Sequence, residues 1–317
     1  MLTRREALGV VTAGVLFGKA SQPATAVNFP VPANACDCHT HIYGDPKKFP
    51  LWSGRVYTPE PALPSEMTEL HRVLHMRRVV IVTPSVYGAD NSATLYGIKA
   101  RGARGSNARG VAVIDEHTSD SELDSMGRAG VRGIRINSAT AGSNDPDVVG
   151  QRFRVAVERM KTRNWHIQLY TNLAVIAAIK DLIRASPVPV VFDHFGGANA
   201  ALGLNQPGFA ELFDLVRAGK AYVKISGAYR ASNQSPDYAD VAPFARALIA
   251  ANADRIVWGS DWPHPDSSRI AGRRPDEVTP FLQIDDGRLL NQLLVWAPDA
   301  ATRKKILVEN PARLYGF

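Results

Sequence analysis

The stretch VPVVFDH, residues Val188–His194, joins a short and almost uninterrupted apolar run to two polar residues. A short run without polar alternation is typical of a β-strand that is buried on both faces, as in a parallel sheet. Seven more runs of this kind occur along the chain, separated by longer amphipathic stretches. The eight predicted strands are Ala35–His41, Arg78–Pro84, Gly110–Asp115, Gly133–Asn137, His166–Tyr170, Val188–His194, Tyr222–Ser226 and Arg255–Asp261.

The stretches between these runs have helical periodicity, for example at Gln151–Arg163 and Phe209–Arg217, and a last helix is predicted at Pro298–Glu309. Strands that alternate with helices indicate parallel pairing. Eight such units in about 280 residues predict an α/β fold, a closed TIM-type (β/α)8 barrel in a single domain. An open doubly wound sheet is the alternative, but no glycine-rich phosphate turn follows the first strand.

The amino-acid composition limits which classes of protein and of binding partner this chain fits. The 317 residues are 45% apolar and 21% charged, which is ordinary for a globular chain. The formal net charge of +7 comes from scattered basic residues, which disfavours nucleic acid and suits an anionic small molecule. Two cysteines, Cys36 and Cys38, cannot build a disulfide framework. Many barrels of this kind associate, so a homo-oligomer stays open, although the sequence identifies no exposed face for it.

The first 26 residues contain the three parts of an export signal. Arg4-Arg5 precede a modest apolar stretch, Val10–Phe17, and Ala24-Thr25-Ala26 supplies the small residues of a cleavage site. This pattern predicts a twin-arginine signal peptide over residues 1–26 and a barrel over residues 27–317. The expected location is the bacterial periplasm, with no membrane association after the signal is removed. A disordered basic tail is the alternative interpretation.

Polar residues gather at the carboxyl ends of the predicted strands, where (β/α)8 barrels place their active sites. The first run ends in Asp37-Cys38-His39-Thr40-His41. Strand alternation predicts that Asp37 and both histidines share one face, and that the two cysteines point towards the helices. The sixth run ends in His194 and the eighth in Asp261. Closure of the barrel should bring Asp261 close to the His39 and His41 side chains.

A carboxylate that is buried beside imidazoles is either a metal ligand or a base poised to take a proton from water. Arg135 lies within the fourth predicted strand, where a buried guanidinium is costly unless it meets an anion. Its planar fork suits a substrate carboxylate, and an internal ion pair with a barrel acid is the alternative. Further polar side chains at strand ends are Ser85, Tyr87, Tyr170, Lys224 and Arg230.

Two long connections interrupt the regular pattern. Gly44–Pro64 follows the first strand, and Pro263–Asn291 follows the eighth. Both leave the carboxyl ends of strands, and long ordered loops in compact domains usually serve function. We expect these loops to form the walls or the lid of a pocket.

These motifs resemble the amidohydrolase superfamily, and within it the 2-pyrone-4,6-dicarboxylate lactonases with the sulfomuconolactone hydrolases and galactarolactone isomerases. The resemblance covers about residues 34–317. It rests on the segments Asp37–Gly44, Gly133–Asn137, Phe192–His194, Trp258–Pro265 and Glu309–Tyr315.

The resemblance implies a hydrolase that opens a small carboxylated lactone, with Asp261 as the general base on water. It further implies that His39, His41 and His194 hold or polarise the lactone carbonyl. The candidate substrate-binding residues are Tyr57, Ser85, Arg135, Tyr170, Arg230 and His264. No metal or other cofactor is expected, but neutral imidazoles and a carboxylate would also suit a single zinc ion. Its ligands would be His39, His41, His194 and Asp261.

Two positions depart from the pattern of the pyrone lactonases. Ala141 replaces an expected second arginine, and Asp266 replaces an expected asparagine. The first difference removes one carboxylate clamp and favours a monocarboxylate or neutral lactone. Three alternatives stay open on the same scaffold: a zinc-dependent decarboxylase or other lyase, a lactone isomerase, and a non-catalytic periplasmic binding protein.

Overall fold

The computed structural model describes Ala20 and residues 22–101, 107–140, 142–268 and 272–317. Most of the predicted signal peptide and Ala141 lie outside the described residues. Eight parallel strands form one sheet whose spatial order follows the chain. They are β1 Cys36–Thr40, β2 Arg78–Val82, β3 Ala108–Ala112, β4 Val131–Asn137, β5 His166–Tyr170, β6 Val190–Phe192, β7 Ala221–Ser226 and β8 Ile256–Gly259.

The sheet closes on itself because the chain that follows β8 bonds to β1. The Asp261 amide donates to the His39 carbonyl at 2.8 Å, and the His41 amide donates to the Trp262 carbonyl at 2.9 Å. The Ser260 amide also donates to the side chain of Asp37 at 3.0 Å. The predicted TIM-type barrel is therefore confirmed, and the open sheet is excluded.

Helices surround the barrel, and their ends follow local chemistry. Ser119 and Glu122 form a capping box at the start of α3, and Asp145 caps α4 ahead of Pro146. Over the described residues, no helix combines the length and the apolar character needed to cross a membrane. The helices are α1 Pro64–Val73, α2 Ser92–Arg101, α3 Asp120–Arg128, α4 Pro146–Met160, α5 Leu173–Ala178, α6 Lys180–Ala185, α7 Phe209–Arg217, α8 Ala228–Ala231, α9 Ala242–Asn252, α10 Asp286–Asn291, α11 Leu293–Trp296, α12 Ala300–Lys304 and α13 Asn310–Tyr315. Shorter helical turns occur at Ser85–Tyr87, His194–Gly197, Ala200–Leu202, Ala239–Val241, Ala253–Arg255 and, as a π-helix, Lys305–Glu309.

The apolar core has two parts. The larger part joins the outer faces of the strands to the helices and includes Ile81, Phe192 and Trp258. The smaller part fills the inside of the barrel with residues from six strands and from the C-terminus. Its buried members are Cys36, Cys38, Val80, Val82, Val111, Val191, Tyr222, Val257 and Tyr315.

An irregularity in β1 changes which of its side chains face the inside of the barrel. The pairing with β2 shifts register between Asp37 and Thr40. Both cysteines pack inside the barrel, whereas Asp37 points outward to His71 of α1, 3.2 Å away. The prediction that Asp37 shares a face with the histidines, and that the thiols face the helices, is therefore wrong. The physical reason is that a bulge breaks the two-residue alternation on which the prediction depended.

The two long connections meet over the carboxyl ends of the strands. Thr58–Pro59 of the first pairs in parallel with Val278–Thr279 of the second. The first loop also bonds to the end of β1, where the Tyr43 and Ala62 backbones exchange hydrogen bonds of 3.0 and 2.8 Å. These contacts hold the loops in place beside the site.

The segment before β1 also contacts the barrel. The Thr25 amide and hydroxyl donate to Asp285 Oδ2 at 3.0 and 2.6 Å. The Asn291 side chain donates to the Ala26 carbonyl at 2.9 Å. Two residues of the predicted cleavage site therefore lie against α10 and its N-cap.

Candidate active site

A small pocket lies above Asp261, where the carboxyl ends of the strands converge. Its volume of about 20 Å³ is enough for one water molecule. Eight of the predicted site residues line it, while His39 lies fully buried beside Asp261. The lining residues are His41, Tyr57, Pro84, Ser85, Arg135, Asn137, Thr140, Tyr170, His194, Arg230, Asp261, Pro265 and Ser267.

The Asp261 carboxylate has one fixed oxygen and one unpartnered oxygen. Oδ2 accepts hydrogen bonds from the Tyr229 hydroxyl at 2.7 Å and from Arg230 Nε. Oδ1 has no hydrogen-bond partner among the described residues and lies 3.6 Å from His39 Nε2 and 3.5 Å from His41 Nε2. An unpartnered buried carboxylate oxygen is costly, so it marks a place for a proton donor or a cation.

The charges around Asp261 keep it ionised. Burial alone would raise the pKa of Asp261, but the positive charge of Arg230 and the contacts with the histidines hold the pKa well below its ordinary value. Burial lowers the pKa of His39 and of His41, and it lowers the pKa of His194 to about 4. Near neutral pH the site therefore combines one carboxylate with three neutral imidazoles.

Hydrogen bonds to backbone and hydroxyl groups limit which nitrogen of each imidazole carries the proton. His41 Nδ1 lies 2.7 Å from the Val82 carbonyl, which only accepts, so this nitrogen carries the proton and Nε2 is left as an acceptor. His194 Nδ1 lies 3.4 Å from the Ser226 carbonyl, which only accepts, and closer, at 3.0 Å, to Ser226 Oγ, which can accept or donate. His194 Nε2 can therefore be either an acceptor or a donor.

Glycine is required where β7 ends beside this cluster. Gly227 has a φ of 58°, and a Cβ at this position would lie 3.0 Å from His194 Nδ1 and 3.2 Å from Asp261 Oδ2. The left-handed backbone and the close approach both exclude a larger side chain. Gly227 thus lets α8, with Tyr229 and Arg230, begin directly against Asp261.

A buried network of charged and polar side chains contacts the Nδ1 side of His39. Asp193 Oδ1 lies 3.2 Å from His39 Nδ1, and Asp193 Oδ2 accepts from Gln168 at 3.0 Å. Lys224 donates to Gln168 Oε1 at 2.7 Å and lies 3.2 Å from His39 Nδ1. Burial lowers the pKa of Lys224. The sequence did not settle the direction of the Lys224 side chain. In the structure it points into the barrel.

Arg135 takes part in the same network. Its Nε and Nη2 each lie 3.0 Å from Asp193 Oδ2, which is the internal ion pair foreseen as an alternative. Arg135 also borders the pocket, with its guanidinium 5.1 Å from the centre of the Tyr170 ring. Tyr170 in turn lies edge-on to His194, with ring centres 5.0 Å apart. The guanidinium is thus held in place and still faces the pocket.

The remaining substrate-binding candidates differ in position. Tyr57 and Ser85 line the pocket, and the Tyr57 hydroxyl lies 3.0 Å from that of Tyr43. Arg230 lines the pocket as well, but it is bonded to Asp261. His264 does not line it: it is fully buried behind the site, so the structure does not support its predicted contact with substrate.

His264 belongs instead to a chain of contacts that ends at Asp261. Its Nε2 lies 3.0 Å from Asp286 Oδ2, and its Nδ1 lies 3.3 Å from the Tyr229 hydroxyl. That hydroxyl donates to Asp261 Oδ2. Burial raises the pKa of Asp286. The chain Asp286–His264–Tyr229 thus fixes one oxygen of the carboxylate from behind.

Three side chains could hold a metal ion. Ligand atoms of His39, His194 and Asp261 lie within 4.8 Å of one another, and all three residues are buried. His39 Nε2 and Asp261 Oδ1 have no hydrogen-bond partner among the described residues. Two imidazoles and a carboxylate form a donor set that is common at catalytic zinc sites. The residues therefore fit a metal, although His41 of the predicted ligand set is not in this group.

Sequence reasoning missed several residues of the site. Asp193 is adjacent to His194 at the end of a predicted strand, and Tyr229 precedes Arg230, so position in the motifs could have found both. Gln168 and Asp286 carry no such signal, because only folding brings them under the site. Asp266, one of the two residues that depart from the pattern of the pyrone lactonases, forms an ion pair with Arg273 at 3.0 Å.

Comparisons with known proteins agree with this architecture. A family model described as amidohydrolase matches residues 36–317. A 4-sulfomuconolactone hydrolase from Rhizobium radiobacter is 35% identical over 296 residues, which are 92% of this chain and 92% of that protein. A D-galactarolactone isomerase from Agrobacterium fabrum is 31% identical over 92% of this chain and 94% of its own length.

A solved structure from Pseudomonas putida, described as a 2-pyrone-4,6-dicarboxylic acid hydrolase, also matches. It is 31% identical with a TM-score of 0.72 and covers 90% of this chain and 98% of that one. The resemblance that the motifs indicated is confirmed by these matches.

Proposed function

This chain belongs to the amidohydrolase family, and from that premise we propose that it hydrolyses a small carboxylated lactone to the open hydroxy acid. The observation that carries the proposal is the Asp261 carboxylate, buried at the floor of a water-sized pocket with Oδ1 unpartnered among the described residues. The names of the relatives support it, since two of them are hydrolases of cyclic esters.

In the proposed mechanism, Asp261 Oδ1 accepts a proton from a water molecule in the pocket. The water oxygen forms a bond to the lactone carbonyl carbon. The bond between that carbon and the ring oxygen then breaks, and the ring oxygen takes the proton from Asp261. One water is consumed, and the products are one carboxylate and one hydroxyl on the same molecule, with the proton of the new acid released.

The developing negative charge on the carbonyl oxygen needs a donor. His194 is the candidate, because Ser226 can donate to its Nδ1 and leave the proton on Nε2. A substrate carboxylate would lie against Arg135 and Arg230, the two arginines that line the pocket. If it draws Arg230 away from Asp261, the carboxylate becomes a stronger base at the moment of binding.

A zinc ion at this site is an alternative to the metal-free mechanism, because its ligands would include the side chains that otherwise act as base and donor. His39, His194 and Asp261 would hold it, and when bound it would polarise the ester carbonyl and make a coordinated water more acidic. The test is elemental analysis of protein purified without chelators, together with activity before and after chelation. About one zinc per chain that is lost together with activity supports the ion, and full activity in zinc-free protein contradicts it.

A lactone isomerase is the second candidate function, because one relative with 31% identity bears that name. The same carboxylate would then take a proton from a hydroxyl group of the substrate, whose oxygen would bond to the carbonyl carbon in place of water while the original ring oxygen leaves and takes that proton. Asp261 favours hydrolysis, because its unpartnered oxygen borders a pocket of the size of one water molecule. A decarboxylase and a binding protein have no specific support in the site.

Isotope labelling separates these functions. A panel of γ- and δ-lactones with and without a carboxylate is incubated with the full protein in ¹⁸O-water, and the products are weighed by mass spectrometry. Hydrolysis places one ¹⁸O in the new carboxylate, isomerisation places none, and decarboxylation releases carbon dioxide. Recovery of every compound unchanged, with binding detected by calorimetry, would favour the binding protein and overturn the proposed enzyme.

We also propose that the protein is exported to the periplasm by the twin-arginine route. The support is the Arg4-Arg5 pair, the apolar stretch that follows it and the small residues before Val27. Replacing both arginines with lysine in the full chain should keep the protein in the cytoplasm, as judged by cell fractionation. A periplasmic location for that variant would contradict the proposal.

A further inference from the structure

The pocket above Asp261 shares part of its wall with a much larger cavity that the proposed reaction does not use. We call it the side cavity. It has a volume of about 1160 Å³ and lies beside the carboxyl ends of β2, β3 and β4. Four residues line both spaces: Ser85, Arg135, Asn137 and Thr140. The pocket is too small for a whole lactone, and the shared wall makes the side cavity the adjoining space for the rest of a substrate whose carbonyl reaches Asp261.

The walls of the side cavity expose large apolar side chains. Trp52 of the first loop and Val155 of α4 both line it, and each is 52% exposed. Exposed large apolar side chains that line a concave surface are typical of ligand-binding sites. Further apolar lining comes from Val56, Val113, Ile114, Ile134, Ile136 and Ala156.

The Trp52 indole packs against two glycines. Its backbone amide donates to the Val86 carbonyl at 2.8 Å. A Cβ on Gly54 would lie 2.5 Å from Cζ2 of the indole, and a Cβ on Gly88 would lie 3.1 Å from its Cγ, so both glycines pack directly against the ring. These contacts restrict the indole, so stacking on it costs less conformational entropy than stacking on an unrestrained side chain.

Charge in the side cavity does not favour a second anionic group. Apart from Arg135, the lining contains three arginines and three carboxylates: Arg55, Arg152, Arg159, Asp115, Glu116 and Asp120. Two of these arginines are bonded within the protein, since Arg55 Nε donates to Thr58 Oγ1 at 2.7 Å and Arg159 Nη2 donates to the Thr118 carbonyl at 2.6 Å. The positive and negative charges of these six residues balance, which favours an uncharged group at this end of the substrate.

We propose that the side cavity binds an aromatic substituent of the lactone, stacked on the Trp52 indole while the ester lies over Asp261. The inference rests on the proposed lactone hydrolysis for the identity of the reacting group. It adds the substrate class: aryl-substituted lactone monocarboxylates, with the acid at Arg135 or Arg230 and the ring between Trp52 and Val155.

The test uses two γ-lactone monocarboxylates that differ only in a phenyl or a methyl substituent. Calorimetry with their ring-opened hydroxy acids measures binding without catalysis, and kcat/KM for the two lactones is measured in parallel. The phenyl compound should bind about tenfold more tightly than the methyl compound, because stacking and burial of one ring are worth about that factor. Trp52→Ala should remove this preference, and Trp52→Phe should keep most of it.

Two variants of α4, at Val155 and at Val148, form a matched pair. Val155→Asp places a charge in the side cavity and should abolish the preference for the phenyl compound. Val148→Asp makes the same change at an exposed position of α4 that does not line the cavity, and it should leave the preference unchanged. Thermal unfolding of each variant shows whether the fold is intact.

The outcomes separate this inference from the proposed function. Equal binding of the two hydroxy acids by the unaltered protein, or a preference that survives both Trp52→Ala and Val155→Asp, overturns the aromatic subsite. Preferential binding that depends on Trp52, without hydrolysis of either lactone, supports the subsite and overturns lactone hydrolysis. Hydrolysis of both lactones at equal kcat/KM, unaffected by either variant, leaves the reaction standing and rejects the subsite.

Discussion

The two ends of the barrel interior have opposite chemistry, although the same strands build both. At the amino end, Cys36, Tyr222 and Val257 are the first or second residues of their strands and belong to an apolar cluster that also contains Tyr315. At the carboxyl end, Lys224 and Asp261 belong to a buried polar site. Along β7, a step of two residues leads from Tyr222 in the apolar cluster to Lys224 in the polar network.

This difference shows how the barrel separates stability from function. Apolar side chains at the amino end gain free energy by burial and need no partners. Every buried charge at the carboxyl end costs desolvation and depends on its neighbours for compensation. We therefore expect substitutions at the amino end to change mainly stability, and substitutions at the carboxyl end to change activity, stability or both.

The largest expected effect is that of Asp261→Asn on turnover. Loss of the base should lower kcat by about a thousandfold, within the usual range for general base catalysis. The amide has nearly the shape of the carboxylate and its oxygen can still accept from Tyr229 and Arg230, so the protein should still fold, as circular dichroism would show. Asp254→Asn makes the same change at the amino end, where Asp254 pairs with Lys305 on the surface, and it should keep full activity. Undiminished lactone opening by Asp261→Asn would remove this residue from the mechanism.

Lys224→Met should destabilise the protein by about 3 kcal/mol, because it leaves Asp193 and Gln168 buried with one partner fewer. Urea unfolding gives the free energy of unfolding directly. Lys220→Met, on an exposed residue just before β7, is the matched control and should change that free energy by no more than about 0.5 kcal/mol. Equal stability of the two variants would show that the network does not depend on the lysine.

The amino end should respond to acid through His166, which lies at the start of β5 with its ring 5.2 Å from that of Tyr315. Burial lowers the pKa of His166 to about 3, whereas an unfolded histidine titrates near pH 6.5. Between these values the unfolded chain binds a proton that the folded chain does not, so the free energy of unfolding falls as the pH falls.

The contribution of this one group is up to about 1.4 kcal/mol per pH unit. His166→Gln should make the dependence of stability on pH shallower by about that slope between pH 6 and 4, measured by urea unfolding at each pH. His117→Gln changes a histidine that is exposed in the folded chain and should leave the slope as it is. An unchanged slope in His166→Gln would mean that other groups control acid unfolding.

The smallest expected effect is that of Tyr229→Phe. Loss of the hydroxyl removes one of the two hydrogen bonds that orient Asp261 Oδ2, so kcat should fall about tenfold. KM should change less than twofold, since Tyr229 does not line the pocket. Tyr96→Phe, on a partly exposed tyrosine of α2, is the control. A change in KM alone would contradict a role in positioning the carboxylate.

The sequence predicted the barrel and most of the pocket because their signals are local. Short apolar runs identify strands, and polar residues that end them identify the rim of the barrel. Arg135 shows where this reasoning stops: the sequence offered a substrate contact or an internal ion pair, and the structure shows that Arg135 pairs with Asp193 and lines the pocket as well. His264 was assigned to the pocket by its motif, yet it packs behind it.

What the sequence by itself determined is the order of the strands, the family and the identity of the residues at the strand ends. Tertiary structure decided which of those residues face inward. The bulge in β1 turned Asp37 outward, and folding joined Asp286 to Tyr229 through His264. It also placed Trp52 and Val155, which are about a hundred residues apart, on the same cavity. The physical reason is that strands and helices depend mainly on neighbours along the chain. The direction of a side chain and its bonding partners depend on contacts that form only when distant segments pack together.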